Sequence, residues 1–331
     1  MSQLKFYSER QISKLLSIRP GETKLGDKIQ VAARIEDLQK SEAEFVIFGI
    51  PEDIGVRANY GKPGTSTAWT EFLKSFLNVQ ENLFNSGTNI LLLGEVNTSA
   101  LMQKAGNIDV SDPNYVQKLG NLVELLDSAV SELVKKVILA GKFPVIIGGG
   151  HNNAFGNIKG ASEATGHSIN VLNIDAHTDL RQLEHRHSGN GFSYAFKNGF
   201  LERYSVFGLH KNYTPQYIFE EMHASEAFKY SLFEELLKHN RKDTFRDHLN
   251  FVNGKKFGLE LDCDAIANFP SSAVSPSGFT LEETRTLIRE AAKEKNCCYL
   301  HVCEAIATVD FPTGKALSYL VTDFLNERKH A

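Results

Sequence analysis

The sequence predicts an α/β fold: a three-layer αβα sandwich around a central, mostly parallel sheet, with polar clusters at the carboxyl ends of its strands. Three observations lead there. Apolar runs of strand length recur along the chain, amphipathic helical patterns separate them, and three of the runs end directly in Gly, His or Asp. Repeated strand–helix alternation is the pattern of a parallel sheet covered on both faces. Its strands read as unbroken apolar runs because neither side meets water.

In order, the strand candidates are residues 45–50, 89–93, 143–147, 169–174, 204–209, 257–262 and 297–302. The clearest helix covers 113–140, where Val116, Leu119, Val123, Leu126, Val130, Leu133 and Val137 form one stripe. Asp112 is its expected cap, Pro113 its first residue and Gly141 its end. Thr280, followed by Glu282 and Glu283, starts another helix, and Phe311-Pro312-Thr313 precedes the last. The first ~40 residues are less patterned and read as an arm or an edge element. Neither an internal repeat nor a low-complexity linker interrupts the pattern, so 1–331 reads as one α/β domain.

Three clusters carry the chemistry. Residues 171–174 lead into Asp175-Ala176-His177-Thr178-Asp179, three ligand-type side chains within five residues. The spacing ends the strand at Asp175 and curls the following residues over its carboxyl end, where open parallel sheets place their sites. Residues 143–147 feed Gly148-Gly149-Gly150-His151, glycines that permit turns a β-carbon would resist. Residues 256–261 feed Asp262-Cys263-Asp264, with the two carboxylates on one side of the strand and Cys263 on the other. Taken singly, each has an ordinary alternative: exposed polar residues, a glycine turn, a helix cap. Together the two His and four Asp suit a pair of borderline or hard divalent ions such as manganese or zinc, sharing bridging carboxylates.

Composition narrows the rest. A formal net charge of −4 gives no electrostatic case for nucleic acid or an acidic membrane. The amino-terminal segment carries charges without an apolar core, unlike a signal peptide, and no apolar stretch is long enough to span a bilayer. Cys263, Cys297, Cys298 and Cys303 include no Cys-x-x-Cys pair, which points to a reducing cytoplasm.

GGGH at 148–151, DAHTD at 175–179 and DCD at 262–264, in that order, resemble the three signature motifs of the ureohydrolases. That superfamily contains arginase, agmatinase, guanidino-acid hydrolases and formimidoylglutamase, and the resemblance covers residues 45–325. Finer detail is similar to the formimidoylglutamase branch. Residues 148–156 match its GGGH-x-x-A-[FY]-G, residues 49–64 look like its G-x-x-x-D-x-G-V-x-x-N-x-G-R-x-G segment, and His187-Ser188-Gly189 resembles its HSG loop. Three departures stand out. Glu260 replaces the Ser or Thr common before the Asp-x-Asp pair, no Asp-Pro follows that pair, and residues 303–308 keep Glu304 but lose the usual Asn-Pro.

The resemblance implies an arginase-like fold, two Mn2+ ions and a homo-oligomer. It assigns one ion to His151, Asp175, Asp179 and Asp262, and the other to His177, Asp175, Asp262 and Asp264, with Asp175 and Asp262 bridging. The implied reaction is hydrolysis of N-formimidoyl-L-glutamate to L-glutamate and formamide in histidine degradation, a metal-bridging hydroxide attacking the amidine carbon. A guanidine hydrolase releasing urea stays open, as does a non-catalytic metal-binding relative. Asp179 is expected to orient the hydroxide and Glu304 to hold the cationic nitrogen. His187 is the expected proton shuttle, ahead of His185 and His210, because an ordinary imidazole titrates near neutrality. The substrate's carboxylates ask for cationic groups. Arg57 is the first choice, with Arg186, Arg181 and Lys211 after it, and Asn59, Ser188 and Asn190 complete the expected substrate contacts.

Overall fold

The computed structural model of the protein describes residues 4–238 and 240–329. Among the described residues the ten strands are β1 (Leu4–Lys5), β2 (Gln30–Val31), β3 (Phe45–Gly49), β4 (Ile90–Val96), β5 (Phe143–Ile147), β6 (Ile169–Ile174), β7 (Leu201–Leu209), β8 (Phe228–Leu232), β9 (Phe257–Asp262) and β10 (Cys297–Cys303). They form one sheet in the order β1-β4-β3-β5-β10-β9-β6-β7-β8, with β2 also on β4. Every pairing is parallel except β1 on β4.

All seven expected strands are present, and β1, β2 and β8 are additional. The first two are dipeptides on the edge of β4, where Leu4 faces Val96 and Gln30 faces Leu91. The early segment, expected as an arm or an edge element, therefore reaches the sheet at its edge. β8 is half-buried throughout and closes the opposite edge, so it lacks the unbroken apolar run that marks the inner strands.

Side-chain alternation sends the inner strands' residues to two cores. Phe45, Ile47, Leu172, Leu259, Leu261 and Leu300 join one apolar cluster with Phe72, Phe245, Ile288 and Leu317 from the helices on that face. Val46, Phe48, Ile146, Val171 and Val206 join the other, beneath Leu126, Val130, Ile158 and Phe192. This is the three-layer sandwich. Burying each Leu, Val or Phe stabilises by about 1.5–3 kcal/mol relative to exposure, which is why both faces hold their helices.

The long helix runs Tyr115–Leu139, and Leu119, Val123, Leu126, Val130, Leu133 and Val137 of the expected stripe are buried. Its start corrects the sequence reading. Asn114 occupies the cap position without a side-chain bond, and Pro113 lies outside the helix. Asp112 instead holds the preceding turn: its Oδ1 accepts from Asn114 N at 2.8 Å and its carboxylate pairs with Lys118. The helix Leu281–Ala292 has Thr280 as its cap in a reciprocal capping box with Glu283.

Sheet order does the decisive work for the site. The three motif-bearing strands, β5, β9 and β6, are separated in space only by β10, so their carboxyl ends open on one crevice.

Candidate metal centre

His151 reaches the crevice through a turn that L side chains rarely adopt. Gly148 and Gly149 have φ of 87° and 77°, and a β-carbon on Gly149 would fall 2.4 Å from Asn153 Nδ2. The buried Glu52 carboxylate holds this turn, with Oε1 accepting from Gly150 N at 2.8 Å and Asn153 Nδ2 at 2.7 Å. Sequence reasoning passed over Glu52. Its sole signal was an acidic residue directly after an apolar strand.

Three carboxylates converge on one nitrogen. His151 Nδ1 lies 2.8 Å from Asp179 Oδ2, 3.0 Å from Asp262 Oδ2 and 3.3 Å from Asp175 Oδ2. These four ligand atoms lie within 4.8 Å of one another. A single N–H cannot serve three acceptors, and neither ring nitrogen makes a hydrogen bond of proper geometry. Beside this group His177 Nδ1 is 3.6 Å from Asp175 Oδ1 and 3.7 Å from Asp264 Oδ2. Asp175 thus faces both imidazoles. Backbone amides fix the carboxylates: His177 N donates to Asp175 Oδ1 and Asp264 N to Asp262 Oδ1, both at 2.7 Å.

So much buried negative charge distorts titration. Burial opposes charge on His177, yet Asp175, Asp264 and Asp179 push its imidazole up to about 10. Burial, with Asp264 and Asp175 nearby, pushes the Asp262 carboxyl well up. Burial and then Asp264 push Glu304 up to about 8. Divalent cations would relieve this crowding of carboxylates, and the donor set of imidazole and carboxylate suits manganese or zinc.

Above the cluster lies a cavity of about 530 Å3 lined by His177, Asp179, Asp262, Asp264 and Glu304 at its floor and Asn59, Arg181, Ser188, Tyr213 and Tyr217 on its walls. Glu304 ends β10 with φ of 62°, its Oε1 accepts from His151 N at 2.5 Å, and its buried Oε2 has no partner. Asp179 also has a positive φ, 49°. Both acidic residues occupy the left-handed region, which costs a non-glycine residue energy and aims each side chain inward.

Several expected residues are not brought to the cavity. Arg57 turns away: Nη2 donates to Ala105 O at 2.8 Å and Tyr115 Oη at 3.1 Å, and Nη1 faces Asp53 at 3.9 Å. Arg186 is buried against Asp127, and its Nη1 donates to Asn190 Oδ1 at 2.5 Å. The Asn190 amide also donates to His185 O at 2.9 Å, so both ends of that side chain are engaged. His187 does not fit the shuttle role. Its Nδ1 accepts from Gly189 N and its Nε2 meets Glu184 Oε1, each at 3.0 Å. Burial first, then Arg181 and His185, lower its imidazole to about 4 although Glu184 raises it, leaving it neutral near pH 7.

What does reach the cavity wall is Arg181, whose Nη1 donates to Asn59 Oδ1 at 2.7 Å, while Asn59 Nδ2 donates to Ser188 Oγ at 3.1 Å. Cys263 faces the opposite side from its acidic neighbours, within the apolar cluster of Leu259 and Leu261. All four cysteines are free thiols.

The model of the Arginase family matches residues 43–325. The chain is 29% identical over 232 residues to a formimidoylglutamase of Macrococcus caseolyticus, covering 67% of this chain and 74% of the relative. A formimidoylglutamase of Streptococcus pyogenes is 23% identical over 246 residues, 71% of this chain and 69% of the relative. Among solved structures, formimidoylglutamase from Bacillus subtilis superposes with a TM-score of 0.75 at 17% identity, covering 95% of each chain. Trypanosoma cruzi formiminoglutamase, solved with Mn2+, gives 0.73 at 19% identity over 92% of this chain and 98% of that one.

Proposed function

The chain belongs to the arginase family, and from that premise we propose that it is a dinuclear manganese hydrolase converting N-formimidoyl-L-glutamate and water to L-glutamate and formamide, a step of histidine degradation. The observation that carries the proposal is the convergence of Asp175, Asp179 and Asp262 on His151 Nδ1, with His177 and Asp264 alongside, beneath a cavity that has an arginine on its wall.

One ion would be held by His151, Asp175, Asp179 and Asp262, the other by His177, Asp175, Asp262 and Asp264. Bound divalent ions lower the pKa of water from 15.7 to about 7, supplying hydroxide at neutral pH. The chain's own residues do the rest. Glu304 offers its unpartnered Oε2 to an N–H of the amidinium. Asp179 accepts a hydrogen bond from the nucleophile and so orients it. Arg181, steadied by Asn59, pairs with a substrate carboxylate, a charge-assisted contact about twice as strong as a neutral one. In the overall change water's oxygen forms a C–O bond to the amidine carbon, the C–N bond to glutamate breaks, and the departing amine takes up a proton given up by that water.

An arginine on the wall favours an anionic substrate over arginine or agmatine. The relatives named formimidoylglutamase support the same choice. Homo-oligomeric assembly and a cytoplasmic location belong to the proposal as well. The free cysteines fit a reducing compartment, and among the described residues no helix is long and apolar enough to cross a membrane. The test is to incubate the manganese-loaded protein with formimidoylglutamate, arginine and agmatine, and to separate formamide from urea. Formamide release from the first is expected. Faster turnover of a guanidine would transfer the assignment to a urea-forming hydrolase.

A further inference from the structure

Behind the His151 imidazole, on the side away from the cavity, lies a second polar cluster. Glu260 on β9 and Tyr299 and His301 on β10 are all fully buried. Strand register places His301 beside Glu260 and Tyr299 beside Gly258. The Tyr299 ring lies across Gly258, where a β-carbon would come within 2.1 Å of it. That bare backbone lets the phenol reach along the strand and donate to Glu260 Oε1 at 2.8 Å. His301 Nδ1 is 2.5 Å from Glu260 Oε2, and its Nε2 is 3.3 Å from Gly148 O, at the start of the turn that carries His151. The carboxylate is braced from two directions.

Glu260 Oε2 also faces His151. The separation from His151 Nε2 is 3.6 Å, and that nitrogen is buried without a hydrogen-bond partner. The other ring nitrogen, Nδ1, points at the three aspartates. An imidazole that gives its Nδ1 lone pair to an ion carries its proton on Nε2, and a buried N–H needs an acceptor. The 3.6 Å gap is longer than a hydrogen bond, so a small movement of the ring closes it. The ureohydrolase resemblance leads one to expect Ser or Thr at position 260. Here a full carboxylate stands there, with a histidine and a tyrosine arranged around it.

We propose that Glu260, braced by Tyr299 and His301, is a positioning residue for His151: its Oε2 accepts a hydrogen bond from Nε2–H and fixes the tautomer and ring orientation that turn Nδ1 to the ion. The inference rests on the dinuclear reading above. Carboxylates that accept from a metal-binding histidine typically tune affinity by about 10–100-fold when altered.

The test measures metal binding independently of turnover. Manganese affinity is determined by calorimetry on the metal-free wild type, Glu260→Gln and Glu260→Asp, with circular dichroism as the control for folding. The glutamine variant keeps the shape and is expected to bind one of the two ions about 10–100-fold more weakly. Its electron paramagnetic resonance spectrum at two equivalents of manganese, with protein below the weakened site's dissociation constant, is expected to show an isolated Mn2+ ion where the wild type shows a coupled pair. The aspartate variant should recover part of the loss. If Glu260→Gln does not fold, Tyr299→Phe carries the test: a several-fold weaker ion supports the role and unchanged affinity overturns it. A folded Glu260→Gln that loads two ions with wild-type affinity also overturns it, leaving the dinuclear reading intact. A wild type that binds no manganese removes both.

Discussion

Arg186 and Asp127 form a buried bidentate ion pair, Nε to Oδ2 at 2.9 Å and Nη2 to Oδ1 at 3.1 Å. It joins the loop after the DAHTD motif to the long helix, and Nη2 also donates to Asn152 O at 3.0 Å, next to His151. Breaking one side of such a pair leaves the other charge buried and alone. Asp127→Ala is therefore expected to destabilise the protein by about 3–5 kcal/mol, whereas replacing both residues with apolar ones of similar volume costs less. Urea unfolding of the two variants checks this. An Arg186→Ala protein with wild-type stability and only a raised KM would return Arg186 to the list of substrate contacts.

Arg181→Ala is expected to raise KM for formimidoylglutamate with little change in kcat. Loss of a hydrogen bond to a charged group costs about 1.5–3 kcal/mol, roughly a tenfold to hundredfold change. An effect confined to KM is the mark of binding lost equally from ground and transition states. Arg57→Ala, whose guanidinium is spent on Ala105 and Tyr115, should leave KM unchanged. Steady-state kinetics on the two variants separates the cases, and the reverse pattern would reject the cavity-wall assignment.

Asp175 and Glu304 sit close together but are expected to fail differently. Asp175→Asn should lose manganese and turnover together, because its two oxygens face His151 and His177 separately. Glu304→Gln should keep both ions and lose turnover by about 100-fold or more, the range for a group that stabilises developing charge. Metal content after gel filtration, set beside turnover, distinguishes them. Parallel loss of metal in Glu304→Gln would make that residue a ligand.

Acid stability has a traceable contributor in His248. The ring is buried between Ser205 Oγ, 2.7 Å from Nδ1, and Ser231 Oγ, 2.6 Å from Nε2. Burial, with Lys229 adding to it, lowers its imidazole to about 3 from an ordinary 6.5. A depressed histidine contributes stability that is present above the unfolded value and is lost as pH falls toward the folded one. Between pH 6.5 and 3 it is expected to remove up to about 1.4 kcal/mol per pH unit, one proton's share. In His248→Gln the unfolding free energy should fall less steeply over that window. Denaturant titrations at several pH values measure the difference, and identical slopes would discount His248.

The inner strands were legible because burial on both faces forces unbroken apolar runs such as 143–147 and 169–174, and their sequence positions held within a few residues. The six candidate ligands were legible because ligand chemistry restricts residue type and each sits directly after such a run. Substrate contacts were not. Which of Arg57, Arg181 and Arg186 faces the cavity depends on competing partners, and neither Ala105 O nor Asp127 is near its arginine in sequence. The Glu260, Tyr299 and His301 cluster depends on the register of β9 against β10, which no local pattern specifies. Edge strands escaped for a related reason: two residues such as Leu4 and Lys5 pair only because β4 is already there.

The sheet order also dictates when the molecule becomes complete. β10 is the last strand in chain order and yet lies between β5 and β9, at the centre of the sheet. During synthesis, β1 to β5 can assemble as one partial sheet and β6 to β9 as another, each with a bare apolar edge, the kind of surface that invites pairing with other chains. Distant parallel pairings of this sort form slowly. The ligands are divided along the same seam, His151 on one half and the four aspartates with His177 on the other. Only the ion assigned to His151 has ligands on both sides of this seam, so its capture is expected to follow the insertion of β10, and the interval before that insertion is when the nascent chain depends most on protection from aggregation.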